Sequence, residues 1–197
     1  MALARAAATR RTHIKDKREP LSYEDLKVVF LAISNPSFED EMFLAAALLG
    51  FCGMLRISEF CGTSSKVSPG YLALGHVQVV GPILEITLMS SKGDKGGERA
   101  LISLKSLSSD PCPLKLLQSY VSSRPHTTKE APLFIHRNGS PMSADWFRRK
   151  LQIECRKAGL MGLINGHSLR IGAATTAARK GIRCTELRHW DDGRATR

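Results

Sequence analysis

The stretch Gly166-His167-Ser168-Leu169-Arg170-Ile171-Gly172-Ala173-Ala174-Thr175 bears most directly on the fold and on the candidate site. Together with the alanine-rich residues that follow, it predicts a helix over 168–180, which Gly181 ends. His167 and Arg170 then share one face at the N-terminus of this helix, where unpaired backbone N–H groups also favour an anion. A lone His-x-x-Arg pair is common, and by itself it is more often a surface histidine beside an unrelated arginine.

A second stretch, Leu55-Arg56-Ile57-Ser58-Glu59, lies more than a hundred residues earlier. It follows the nearly all-apolar segment 38–52, which predicts a buried helix, so Arg56 would leave packed structure in a fixed direction. Glu59 follows three residues later on the same helical face, where it could orient Arg56 or the histidine. In isolation, an ordinary salt bridge at a helix start is the preferred interpretation.

Arginine and histidine are residue types that phosphodiester cleavage without a metal uses. Arginines neutralise charge on the pentavalent phosphorus centre, a general acid protonates the leaving 5′ oxygen, and a nucleophile attacks in line. Lys92 lies in a glycine-rich turn, 90–98, between two predicted strands. A lysine there could reach a DNA groove and donate the proton, although a solvated turn explains the same residue.

Turn and cap residues divide the chain into helices and one small sheet. Further helices are predicted over 22–34, 38–52, 55–60, 114–122 and 143–158. Strands are predicted over 71–80, 83–89 and 99–104. This order predicts the α+β class, mainly α, with a small three-stranded antiparallel sheet. Residues 1–20 are expected to be a basic arm or linker rather than a transit peptide, and 21–197 are expected to form one domain.

Charge is unevenly distributed along the 197 residues, which carry a net charge of +11. The three regions of different charge are 1–18 with +5, 19–136 with −2 and 137–197 with +8. Basic ends around a near-neutral middle indicate a polyanionic partner, most simply nucleic acid, although a solubilising surface charge gives the same composition. Three cations of the predicted helix 143–158 are candidate DNA contacts, although a solvated basic face is equally compatible: Arg148, Arg149 and Lys150.

The hydrophobic fraction of 43% is sufficient for a packed core, and no apolar run is long enough to cross a bilayer. Five cysteines are scattered, and none forms a Cys-x-x-Cys or a Cys/His pair. This pattern fits small buried side chains in a reducing compartment and offers no metal site.

Four motifs occur in order, and together they resemble the tyrosine recombinase (phage integrase) family. They are Gly53-Met-Leu-Arg56-Ile-Ser-Glu59-Phe60, the Ser91-Lys92-Gly-Asp-Lys95 hairpin, Gly166-His167-Ser-Leu-Arg170-Ile-Gly-Ala-Ala-Thr175 and Leu187-Arg188-His189-Trp190. The resemblance spans about residues 20–190. Among subgroups, Leu133-Phe134-Ile135, the third motif and Trp190 are most similar to recombinases of eukaryotic mobile elements.

The resemblance implies a role for each matching residue in breaking and rejoining DNA strands during recombination or integration. Arg56 and Arg170 would bind the scissile phosphate, and Lys92 would be the general acid toward the 5′ oxygen. His167 would assist proton transfer, and His189 would hydrogen-bond a phosphate oxygen. Glu59 would support these residues. The family uses no metal and needs no ATP, so no cofactor is expected, and the expected partners are double-stranded DNA and other recombinase protomers.

Two departures from the family pattern shape the functional expectation. The family's nucleophilic tyrosine would fall at about residue 198, whereas the sequence ends at Arg197 and its tyrosines lie in other segments. Arg188 also replaces a usual glycine, and the family's N-terminal DNA-clamping domain is expected to be absent. We therefore expect a DNA-binding but incomplete recombinase domain, nuclear if eukaryotic and otherwise cytoplasmic. A tyrosine supplied by another protomer stays open. The alternatives are a non-enzymatic DNA-binding protein derived from a mobile element and a small-molecule or protein-binding domain whose charge is incidental.

Overall fold

The computed structural model describes residues 19–62, 71–89, 99–106 and 110–179. Several predictions lie outside these residues, namely the basic arm, the Lys92 turn and the final segment with Arg188, His189 and Trp190. Within the described parts, six helices and one three-stranded antiparallel sheet form a mainly α member of the α+β class, as the sequence predicts.

The first two helices begin where their capping residues predict. Helix α1 spans Tyr23–Ala32 and helix α2 spans Phe38–Cys52. Ser22 and Ser37 each accept a hydrogen bond from the backbone N–H three residues on, and an aspartate at that position reciprocates. These capping boxes satisfy N–H groups that a helix start leaves unpaired.

Helix α2 lies at the centre of the molecule and is buried along most of its length. Such an all-round apolar helix is stable only when neighbouring elements cover it. Helices α4 (Pro113–Ser123), α5 (Ala144–Lys157) and α6 (Gly166–Arg179) pack around it. The short helix α3 (Ile57–Phe60) follows it directly.

The sheet is a meander of strands β1 (Val77–Val80), β2 (Ile83–Leu88) and β3 (Ala100–Lys105). Its register pairs Val80 with Ile83 and Leu84 with Leu104. The predicted strand 71–80 is wrong over its first part, because residues 74–76 form a 3-10 turn. His76 closes that turn by accepting the Ala73 N–H at Nδ1, 3.2 Å away.

Helix α6 begins at Gly166, two residues earlier than the predicted start at Ser168. The Asn165 side chain accepts the N–H of His167 at 2.9 Å, and the Ser168 hydroxyl accepts the N–H of Asn165 at 3.0 Å. This reciprocal pair caps the helix start and fixes where His167 lies. Among the described residues, none of the helices combines the length and apolar character that a membrane span requires.

Candidate functional site

The turn that ends α2 sets the direction in which the chain leaves the core. The N–H of Leu55 donates to the Gly50 carbonyl at 2.9 Å, and the N–H of Met54 donates to the Phe51 carbonyl at 3.1 Å. Met54 has a positive φ of 49°. These two bonds around a left-handed residue define a Schellman motif, which satisfies carbonyls at the helix end. Arg56 follows two residues after Met54.

Arg56 is held by one buried carboxylate. Glu59 accepts the Arg56 backbone N–H at 2.6 Å and its Nη1 at 3.0 Å. The Glu59 side chain is 8% exposed, whereas that of Arg56 is 29% exposed. A guanidinium carries five N–H donors in a fixed fork, so the carboxylate orients the donors that it does not bind.

Helix α6 brings Arg170 to the same turn. Its Nη1 donates to the Met54 carbonyl at 2.7 Å, across 116 positions of sequence. The start of α6 packs so closely on α3 that a Cβ on Gly166 would lie 1.6 Å from Cδ1 of Ile57. The two arginine motifs therefore meet at the turn between α2 and α3.

His167 lies in the first turn of α6, one helical turn before Arg170, and its side chain is exposed. The N–H groups that begin a helix carry partial positive charge, which adds to the cationic character of this end. An exposed imidazole at this position is accessible to a ligand that approaches the helix start.

Lys92 and His189 lie outside the described residues, so their proposed roles stay predictions. The chain connecting β2 to β3 contains Lys92, and these two strands are paired from Ile83 to Leu88. The two strands that were predicted on either side of Lys92 are therefore confirmed.

The three cations predicted on α5 have different surroundings. Arg149 is exposed, and Arg148 is half exposed with its Nη1 2.8 Å from Asp145. Lys150 is only 21% exposed, with its Nζ 2.5 Å from Asp40 and 2.8 Å from Glu154. The charge of Lys150 is therefore already balanced inside the protein, where it ties α5 to the start of α2.

In the ion cluster of Asp40, Lys150 and Glu154, burial and ion pairing shift each pKa in opposite directions. Burial lowers the pKa of Lys150, but hydrogen bonds to Asp40 and Glu154 overcome that effect and leave the pKa raised. Burial likewise raises the pKa of Asp40 and Glu154, and hydrogen bonds from Lys150 with other donors leave each pKa lowered. All three groups are thus held in their charged forms around neutral pH.

The three tyrosines of the sequence have hydroxyl groups that serve the fold. Tyr23 donates to the Pro111 carbonyl at 2.8 Å, and Tyr71 donates to the Glu130 carbonyl at 2.6 Å. Tyr120 is fully buried and donates to the Ile135 carbonyl at 3.0 Å. Burial also raises the pKa of the Tyr120 hydroxyl. These contacts give the three hydroxyl groups structural roles.

Two residues of the candidate site, Asn165 and Met54, were not predicted from the sequence. Asn165 caps α6, and the pattern Asn165-x-x-Ser168 was a readable signal for that start. Met54 contributes its backbone carbonyl, which no side-chain motif reports. Within the described residues, no cluster of histidine, cysteine, aspartate and glutamate has the composition to hold a metal ion.

Comparison with solved structures shows the fold. The XerA recombinase has 23% identity and a TM-score of 0.64, with 97% of this chain and 59% of that chain covered. The XerH site-specific recombinase bound to difH substrate has 18% identity and a TM-score of 0.61, with 88% and 47% covered. The chain therefore spans about half the length of XerH.

A third solved structure is similar to this chain over nearly the whole length of both chains. The lambda integrase catalytic core has 15% identity and a TM-score of 0.53, with 91% of this chain and 95% of that chain covered. Comparisons with protein-family models and with curated proteins give no match. The chain thus has the fold of tyrosine recombinase catalytic domains.

Proposed function

We propose that this chain binds double-stranded DNA as part of a tyrosine site-specific recombinase catalytic domain, and that Arg56 and Arg170 bind one phosphodiester. The observation that carries the proposal is the hydrogen bond from Arg170 to the Met54 carbonyl, two residues before Arg56. Arginine motifs far apart in the sequence converge on one turn. Two arginine side chains at one turn would suit a phosphate with two non-bridging oxygens.

The proposed chemistry assigns each side chain a step in strand breakage and rejoining. Arg56 and Arg170 would stabilise charge on the pentavalent phosphorus, which is the largest demand of the reaction. His167 would assist proton transfer, Lys92 would protonate the 5′ oxygen, and His189 would hydrogen-bond a phosphate oxygen. Glu59 would act through Arg56, which its carboxylate contacts twice.

The charge distribution supports DNA as the partner. Residues 137–197 carry a net charge of +8, and the exposed Arg149 lies on α5 within that region. Structures with this fold include a lambda integrase dimer bound to a COC' core site and a Flpe–Holliday junction complex. We further propose that other protomers join on DNA, and that the chain derives from a eukaryotic mobile element and acts in the nucleus.

One observation favours a second candidate, a non-enzymatic DNA-binding protein derived from a mobile element. All three tyrosine hydroxyls of this sequence donate to backbone carbonyls. Incubation of these 197 residues with nicked duplexes, followed by denaturing electrophoresis, tests the second candidate. Binding without a covalent adduct is expected both of an incomplete recombinase domain and of the second candidate, whereas a covalent protein–DNA adduct on this chain would exclude the second candidate.

The central experiment measures affinity for a short fluorescein-labelled duplex by anisotropy at low salt. We expect R56A and R170A each to weaken binding about tenfold, since each removes a charge-assisted contact to phosphate. The matched control is K115A, which removes one positive charge from an exposed lysine paired with Asp110. Undetectable binding of the wild-type chain, or equal losses in all three variants, would contradict the proposal.

A further inference from the structure

The turn that ends α2 has its left-handed residue at a position that the sequence does not indicate. A Schellman motif needs a left-handed residue just after the helix, and glycine usually supplies it. Here the adjacent glycine, Gly53, has an ordinary φ of −84°, and the left-handed residue is Met54 at φ 49°. A side chain with a Cβ adopts this conformation infrequently, and such residues concentrate at functional sites.

Gly53 has a different reason to be glycine. A Cβ at that position would lie 3.0 Å from the Leu49 carbonyl oxygen and 3.1 Å from Cγ of Leu55. Because this space is already filled, the glycine allows close packing. The reversal of the backbone therefore depends on the left-handed Met54, and the hydrogen bonds from the N–H groups of Met54 and Leu55 close the turn around it.

The hydrogen bonds that close this turn do not use the Met54 carbonyl. The two capping hydrogen bonds use the carbonyls of Gly50 and Phe51. The Met54 carbonyl is in neither bond, and it accepts Nη1 of Arg170 at 2.7 Å. The position of this oxygen depends directly on the backbone angles of Met54.

We propose that the left-handed backbone of Met54 positions Arg170 for phosphate binding, with the Met54 carbonyl as the anchor. The inference rests on the proposed function, because it assigns the anchored guanidinium to phosphate. One anchored N–H fixes the directions of the remaining donors, since the guanidinium is planar and rigid. Arg56 is held by two hydrogen bonds to Glu59, whereas the Met54 carbonyl contacts Arg170 directly.

The test compares substitutions that tolerate or resist the left-handed conformation. Glycine adopts it readily, whereas β-branched valine strongly disfavours it. We expect M54G to bind the labelled duplex within about twofold of wild type, and M54V to lose about as much affinity as R170A. The matched control M161V makes the same substitution at an 87% exposed methionine and should leave affinity unchanged. If M54V does not fold, M54A serves as the milder substitution, with the same sign.

Double-mutant cycles separate positioning from general destabilisation. We expect M54V to have almost no further effect in the R170A background, but to add its full loss in the R56A background. Full additivity with R170A would overturn the inference, as would an M54G loss equal to that of M54V. An R170A variant with wild-type affinity would instead contradict the proposed function, so the two failures are distinguishable.

Discussion

The Glu59 carboxylate accepts two hydrogen bonds from Arg56 and orients its guanidinium. We predict that E59Q lowers the free energy of unfolding by about 1–3 kcal/mol, because an amide cannot replace a buried carboxylate between two donors. The same change should weaken duplex binding several-fold, since the Arg56 guanidinium loses its fixed direction. Urea unfolding and anisotropy measure the two effects.

The control for this prediction is E24Q. Glu24 forms an exposed pair with Lys27 at 3.2 Å, and its side chain is 76% exposed. Exposed pairs contribute little, so E24Q should change stability by less than about 0.5 kcal/mol and leave DNA binding intact. Equal effects of E59Q and E24Q would show that burial of Glu59 has no consequence for Arg56.

At single positions, the sequence reveals side-chain chemistry better than backbone chemistry. Arg56, Glu59 and Arg170 were predicted as site residues because the motifs that contain them resemble those of one family. The Met54 carbonyl was not found, because every residue has a carbonyl and only the fold selects one. Gly53 would be the expected left-handed residue of this turn, but the left-handed residue is Met54.

Helix α5 is attached to α2 by an ion cluster, and Lys150 is its only member with two carboxylate partners among the described residues. We predict that K150M lowers the free energy of unfolding by about 1–3 kcal/mol at neutral pH, since it leaves Asp40 and Glu154 partly uncompensated. R149M, an exposed neighbour on the same helix, should change stability by less than about 0.5 kcal/mol.

The contribution of this cluster should depend on pH. The pKa of Asp40 and of Glu154 is lowered from 3.8 and 4.5, so their stabilisation is present above those values and is lost as pH falls through the folded pKa. The pKa of Lys150 is raised from 10.5, so its stabilisation is lost as pH rises through the folded pKa. The K150M deficit should thus be largest between about pH 5 and 10. An identical deficit at acidic pH would contradict this assignment.

Helix starts were the most predictable elements because their signals are local. Ser22, Ser37 and Ser143 each precede a helix and accept a backbone N–H within it. The first strand was predicted too long, since residues 74–76 have strand-like composition but are closed into a turn by His76. Whether such a segment forms a strand or a turn depends on its tertiary contacts, and the alternation of apolar and polar side chains does not indicate these contacts.

At the scale of the whole molecule, the order of elements was sufficient to predict the class and the meander. The approach of α6 to α3 was not predictable from composition, because it depends on a single glycine against Ile57. The ordered motifs anticipated this approach through resemblance to a family whose fold is now observed. The uneven charge anticipated a polyanionic partner, which stays a proposal.

Arg56 and Arg170 are proposed to bind one phosphate. The most direct test is the slope of log affinity against log salt concentration for duplex DNA, in wild type and in the R56A/R170A double variant. Each neutralised phosphate contributes about 0.9 to that slope. We predict that the double variant loses about 0.9 of the slope, because both arginines would act on the same phosphate. A loss of about 1.8 would indicate two separate phosphates, and an unchanged slope would show that neither arginine binds DNA.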